Sequence, residues 1–102
     1  MKSARACRNL TDIRGAVNAI DRELIRLLVT RRRYALAALA FKPDRGSVAV
    51  PQHRKKIFAQ RESWAVRAGL NPTMVHKIFQ AVFDESKRLH LAGLRARRGQ
   101  VA

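Results

Sequence analysis

Two cations lie on one face of a long apolar pattern near the start of the sequence. Apolar side chains recur there at spacings of three and four, the pattern of a helix that packs along one seam. The apolar seam consists of Leu10, Ile13, Val17, Ile20, Leu24, Leu27, Tyr34, Ala38 and Phe41. Arg31 occupies the seam position between Leu27 and Tyr34, and Lys42 follows eleven residues later, within about 20° of the same face. An unpaired buried guanidinium is costly, so Arg31 either reaches solvent, pairs with a carboxylate, or lines an anion-binding pocket with Lys42.

Arg14 borders the same seam, seventeen residues before Arg31. At about 1.5 Å per residue, these two arginines stand about 25 Å apart, beyond the combined reach of their side chains. If Arg14 serves the pocket of Arg31 and Lys42, it must do so from a second subunit. The unbroken pattern, roughly 48 Å long as a helix, is also too long to fold back usefully within one small chain. The sequence therefore predicts a homodimer.

The remaining sequence predicts two further helices and no strand. Positions 43–50 are rich in turn-forming residues and predict a loop. Pro51 suits the first turn of a second helix, which Gly69 ends. Asn71 and Pro72 then suit the start of a third helix. We expect an all-α, three-helix protomer with a long first helix, an extension at 1–9, a helical domain at 10–94 and a basic tail at 95–102.

Composition limits the classes of function. The chain has 102 residues, 47% of them hydrophobic, and 22 Lys and Arg against 7 Asp and Glu, a net charge of +15. Such an excess favours anionic partners, which include nucleic acid, membrane surfaces and acidic metabolites. There is no apolar run of bilayer length and no secretory leader, so we expect a cytoplasmic protein without membrane attachment. A basic module that binds nucleic acid is one alternative, but it gives no reason for cations to follow an apolar seam.

The sequence carries no motif for a metal or a cofactor. Cys7 is the only cysteine, and His53, His76 and His90 lie on separate turns. Gly-rich phosphate loops and nucleophile elbows are absent. We therefore expect chemistry performed by cations and hydrogen-bond donors, with no cofactor and no metal.

Polar residues also occur on the apolar faces of the later helices. Ser86 and His90 are four residues apart on the inner face of the third helix. A histidine there is either a hydrogen-bonded core residue or a functional one. His53 and Arg54 flank the start of the apolar face of the second helix.

These residues together resemble a known family. Residues 10–21, followed by Leu28, Arg31, Tyr34 and Phe41-Lys42, resemble the first helix of the all-helical (type II) chorismate mutases. The similarity continues through Pro51, Arg61, Trp64, Gly69-Leu70 and Phe79, and covers roughly residues 10–91. Within the family, the chain looks closest to the isochorismate pyruvate lyases of salicylate biosynthesis.

The resemblance implies an intertwined homodimer with two shared active sites. Arg31 and Lys42 would come from one subunit and Arg14 from the other, and together they would bind a dicarboxylate substrate. Lys42 would also contact the ether oxygen of that substrate. The rearrangement of chorismate to prephenate is pericyclic, so it needs neither a nucleophile nor proton transfer. Stabilisation of the charge on the ether oxygen would supply the catalysis.

The resemblance also implies roles for four further residues. A substrate-binding arginine of the family falls on His53 or on Arg54, depending on the register chosen. Ser86 matches the mutases. His90 stands where the family places a Gln or Glu that donates to the ether oxygen. We expect a chorismate mutase in which Arg31, Lys42 and His90 are catalytic, with isochorismate pyruvate lyase activity in the same pocket as the alternative.

Overall fold

The computed structural model describes residues 3–41 and 51–101, with the side chains of residues 3–41 and 52–96. These residues form three α-helices, α1 (Leu10–Ala37), α2 (Pro51–Ala68) and α3 (Pro72–Val101). Short 3₁₀ helices cover Ala4–Ala6 and Ala38–Phe41. No strand occurs in the described ranges, so the all-α class and the three helices are confirmed. Lys42 and the predicted loop at 43–50 lie outside the described residues.

The side chains of Asn9 and Asp12 accept hydrogen bonds from backbone N–H groups at the start of α1. Asn9 Oδ1 accepts a hydrogen bond from the Asp12 backbone N–H at 2.8 Å, which satisfies a donor that the helix leaves unpaired. The carboxylate of Asp12 accepts in turn from the Arg8 backbone N–H at 3.1 Å. The other end differs from the prediction, because the helix tightens to 3₁₀ geometry over Ala38–Phe41. Such tightening is common in the last turn of a helix.

The turn between α2 and α3 is formed by hydrogen bonds between residues that are close in the sequence. Gly69 adopts a φ of +79°, a conformation that costs glycine little. The N–H of Leu70 bonds to the Ala65 carbonyl at 2.8 Å and that of Gly69 to the Val66 carbonyl at 3.1 Å, the two bonds of a Schellman motif. Asn71 Oδ1 then accepts from the N–H of Thr73 at 2.9 Å and caps α3. The predicted helix end and helix start are therefore both confirmed.

The third helix is longer than the sequence indicated. We expected it to end near Leu94, but α3 continues to Val101 and takes in most of the basic tail. Arginine and alanine favour a helical backbone, and no residue in this stretch has the left-handed conformation that would end the helix.

The chain divides into two compact units, Met1–Tyr34 and Ala35–Ala102. In the second unit, α3 packs against both α2 and the 3₁₀ helix Ala38–Phe41. Aromatic rings fill the contact between α2 and α3, and the centroid of Phe83 lies 5.1 Å from that of Phe58 and 5.7 Å from that of Phe79. Ala65, Val75 and Leu94 are the buried apolar side chains among the described residues. None of the described helices is long and apolar enough to cross a membrane.

Candidate functional site

The two arginines of α1 lie far apart along one helix. Arg14 is exposed and Arg31 is half-buried. Both belong to the unit Met1–Tyr34, and α1 runs without interruption between them. The rise of about 1.5 Å per residue therefore separates their backbones by about 25 Å. One chain cannot bring these two side chains to the same small molecule.

The apolar seam of α1 is largely uncovered. No residue of α1 is buried. Six consecutive seam side chains are between 45% and 55% exposed, namely Leu10, Ile13, Val17, Ile20, Leu24 and Leu27. A contiguous apolar row of this length is unusual on a monomeric protein and marks an interaction surface.

The two candidate residues on α2 have different surroundings. The guanidinium of Arg54 forms an ion pair with the carboxylate of Asp84 on α3 and lies 5.6 Å from the ring centroid of Phe58. The side chain of His53 is exposed. Arg54 therefore takes part in the packing of α2 against α3, whereas His53 is open to solvent.

His90 is buried in the second unit, with only 6% of its surface exposed. Its Nε2 donates a hydrogen bond to the backbone carbonyl of Ala35, close to the end of α1. Ser86, one turn earlier on α3, is half-buried. The structure thus gives His90 the hydrogen-bonded core position that the sequence left open as one of its two possibilities.

The side chain of Leu39, in the 3₁₀ helix Ala38–Phe41, contacts α3 at Gly93. A Cβ atom placed on Gly93 would come within 2.7 Å of Leu39 Cδ1, which is closer than such atoms approach in proteins. Glycine at this position therefore leaves room for the Leu39 side chain.

Arg61 of α2 lies among aromatic rings of both α2 and α3, and the sequence does not predict these surroundings. Its guanidinium carbon lies 4.9 Å, 5.5 Å and 5.8 Å from the ring centroids of Trp64, Phe79 and Phe83. Its Nε is buried and has no hydrogen-bond partner among the described residues. Trp64 lies three residues after Arg61 on α2, whereas Phe79 and Phe83 belong to α3.

A second polar contact joins α2 to α3. Glu62 Oε1 lies 2.7 Å from His76 Nδ1, and the His76 ring stacks on Phe58 with centroids 4.3 Å apart. His76 is thereby engaged in helix packing. Among the described residues, no three His, Cys, Asp or Glu side chains lie close enough together to hold a metal ion.

Comparison with known proteins shows that this all-helical chain belongs to a family of enzymes. The sequence model of the family described as chorismate mutase type II matches residues 13–91. An isochorismate pyruvate lyase from Pseudomonas aeruginosa is 30% identical over 82 residues, which are 80% of this chain and 81% of that protein. The chain is a member of the chorismate mutase type II family, and the resemblance predicted from its sequence is confirmed.

Proposed function

We propose that this protein is a chorismate mutase, which rearranges chorismate to prephenate in a cationic pocket shared between two subunits. The match of the family to residues 13–91 carries this proposal, because the matched segment contains all three cations of the predicted pocket. Arg31 and Lys42 serve the pocket from one subunit, and Arg14 serves it from the other. Membership of this family also favours an enzyme over a basic module that binds nucleic acid.

The chemistry needs only charge and shape from the protein. Chorismate carries one carboxylate on its ring and another on its enolpyruvyl group, and guanidinium groups bind carboxylates with two parallel hydrogen bonds. Arg14 and Arg31 hold these two groups, which compacts the substrate towards its reactive conformation. Lys42 stabilises the negative charge that develops on the ether oxygen as the carbon–oxygen bond breaks. No proton transfer and no nucleophile takes part.

The exposed apolar seam supports the dimer that this pocket requires. A second copy of α1 would cover the half-exposed row from Leu10 to Leu27, and a two-fold axis would make each seam cover the other. The separation of about 25 Å between Arg14 and Arg31 independently supports a second subunit at the pocket. We propose an intertwined homodimer with two identical sites.

Two further residues complete the proposed pocket. Arg54 is engaged with Asp84, which favours the exposed His53 as the contact that α2 makes with the substrate. On α3, the hydroxyl of Ser86 provides a hydrogen bond to the substrate.

Isochorismate pyruvate lyase activity is the second candidate. The relative from Pseudomonas aeruginosa that bears this name matches 80% of the chain, which favours this reaction. The lyase reaction is a related pericyclic elimination that yields salicylate and pyruvate, and the same cations would serve it. Ser86 favours the mutase, because the resemblance places Ser at this position in mutases.

A product assay with the two substrates separates the candidates. We expect the purified protein to form prephenate from chorismate with a higher kcat/KM than it forms salicylate from isochorismate. The reverse ranking would make the protein a lyase. The absence of turnover with both substrates would reject the proposed pocket chemistry.

A further inference from the structure

The outer side of α2 carries cations that the proposed substrate pocket does not use. The pocket takes Arg14, Arg31 and Lys42, whereas the chain contains 22 Lys and Arg and has a net charge of +15. On α2, Lys56 and Arg67 are exposed and eleven residues apart, a spacing that places both on one side of a helix. Binding of a small dicarboxylate therefore does not explain these two cations.

Polar side chains join the two cations into a row along α2. The row consists of five exposed residues at spacings of four, four, three and four, namely Gln52, Lys56, Gln60, Ser63 and Arg67. These spacings keep the polar row within about 80° of the helix circumference and make it about 22 Å long. Phe58 and Arg61, which contact aromatic rings of α3, lie on the opposite side of α2. The polar row therefore faces away from the packing of α2 against α3.

The polar row is built from hydrogen-bond donors and contains no carboxylate. Each of its five side chains can donate a hydrogen bond. Gln60 Oε1 accepts from Arg61 Nη1 at 2.8 Å, so the group that Gln60 offers to a ligand is its amide NH₂. The one carboxylate in the sequence of α2, that of Glu62, is turned towards α3 and lies 2.7 Å from His76 Nδ1. A straight row of donors and positive charges suits an extended polyanion.

The backbone of a nucleic acid duplex is the polyanion that this row fits. Lys, Arg, Ser and Gln are among the side chains that contact nucleic acid phosphates. A B-form duplex rises about 3.4 Å per base pair, so a row of about 22 Å spans about six base pairs. Attachment to a membrane surface would use apolar side chains beside the cations, and binding of a single strand would use aromatic side chains for stacking. No member of the polar row is apolar or aromatic.

We propose that the polar row of α2 binds the phosphate backbone of double-stranded nucleic acid, as a second activity beside the enzymatic one. Contacts to phosphates carry no sequence information, so duplexes of different sequence bind equally well. Binding releases counterions, so the affinity decreases steeply as the salt concentration rises. This activity does not rest on the proposed reaction, because neither Lys56 nor Arg67 belongs to the substrate pocket.

A pair of double variants tests whether the polar row, and not the total charge, binds the duplex. Lys56→Gln/Arg67→Gln removes both cations of the row, and Lys77→Gln/Arg95→Gln removes the same charge from exposed positions of α3. The probe is a fluorescently labelled DNA duplex of about 20 base pairs, titrated at salt concentrations from about 50 to about 200 mM. We expect the row variant to bind about tenfold more weakly than wild type, as for the loss of two exposed ion pairs. The slope of log K against log salt should become shallower by about 1.8, and the control should stay within about twofold of wild type.

Acetylation of the wild-type protein gives a second measurement, which needs no variant. Bound duplex should protect Lys56 from acetylation more strongly than Lys77, as measured by mass spectrometry. Circular dichroism of both double variants should match wild type, and their turnover of chorismate should be unchanged, which separates duplex binding from the enzymatic activity. No binding of the duplex by wild type at about 50 mM salt, or equal losses in the two double variants, would overturn the proposal. Equal protection of the two lysines would also overturn it, as would tighter binding of phosphatidylglycerol vesicles or of a single strand than of the duplex.

Discussion

Arg54 of α2 and Asp84 of α3 form an ion pair across the contact between the two helices. The pair is partly open to solvent, since the two side chains are 30% and 59% exposed. Pairs of this kind contribute little to stability, but they do hold a long side chain in one place. Arg54 is therefore directed towards α3, and its neighbour His53 is the side chain that remains open to solvent.

This arrangement predicts different effects at the two neighbouring positions. His53→Ala should raise KM roughly tenfold, because it removes a hydrogen bond to a charged substrate. Arg54→Ala should leave KM nearly unchanged and lower the free energy of unfolding by at most about 1 kcal/mol. Steady-state kinetics and urea unfolding of both variants provide the measurement. A larger rise in KM for Arg54→Ala than for His53→Ala would assign the substrate contact to Arg54.

The exposed seam predicts an obligate dimer. Sedimentation at micromolar concentration should give about twice the chain mass of 11.6 kDa. Leu24→Asp places a carboxylate in the middle of the seam and should dissociate the dimer or prevent folding. Asn18→Asp makes the same change in charge on an exposed residue outside the seam and should leave the dimer intact. A wild-type protein that sediments as a folded monomer would refute the shared pocket.

Substitution of Arg31 should lower activity strongly and change the free energy of unfolding little. Arg31→Ala should lower kcat/KM by the equivalent of about 2–5 kcal/mol, as truncation of a buried hydrogen-bonded charge pair does. Arg31→Leu should be as inactive but as stable as wild type or more so, because an apolar residue at a seam position removes a desolvation cost. Arg32→Ala, at the exposed neighbouring position, is the control. If Arg31→Ala unfolds the protein and Arg31→Leu does not rescue it, Arg31 is structural.

The buried Nε of Arg61 predicts that substitution of this residue changes the stability of the protein little. Contact with three aromatic rings stabilises the guanidinium by about 0.5–2 kcal/mol, whereas a buried donor without an acceptor costs about 1–3 kcal/mol. Arg61→Met should therefore change the free energy of unfolding by no more than about 1 kcal/mol, with exposed Arg67→Met on the same helix as the control. Urea unfolding measures both. A loss above about 3 kcal/mol would show that Arg61 Nε has an acceptor in the folded protein.

Local sequence was sufficient to predict the helices but not the contacts between them. The caps at Gly69 and Asn71 are formed within a few residues, so composition and spacing were enough to place them. The end of α3 was misjudged because the basic residues after Leu94 suit both a helix and a solvated tail.

The site could be predicted only in outline. The spacing of Arg14 and Arg31 fixes their separation, because one continuous helix joins them. The partners of His90 and Arg54 lie 55 and 30 residues away in the sequence, so tertiary packing decides them. No periodicity could show that His90 would donate its proton to the carbonyl of Ala35.

The central claim is that each active site takes cations from two subunits. Arg14→Ala and Lys42→Ala homodimers should each be nearly inactive, because every site in them lacks one cation. In a heterodimer of the two variants, one site carries both defects and the other carries neither.

The most direct measurement is therefore the chorismate mutase activity of purified Arg14→Ala/Lys42→Ala heterodimers, isolated with two different affinity tags. We predict about half of the wild-type activity per dimer, since one of two sites is intact. Heterodimers as inactive as the two parent homodimers would contradict the shared pocket, and would show that Arg14 acts within its own chain or takes no part.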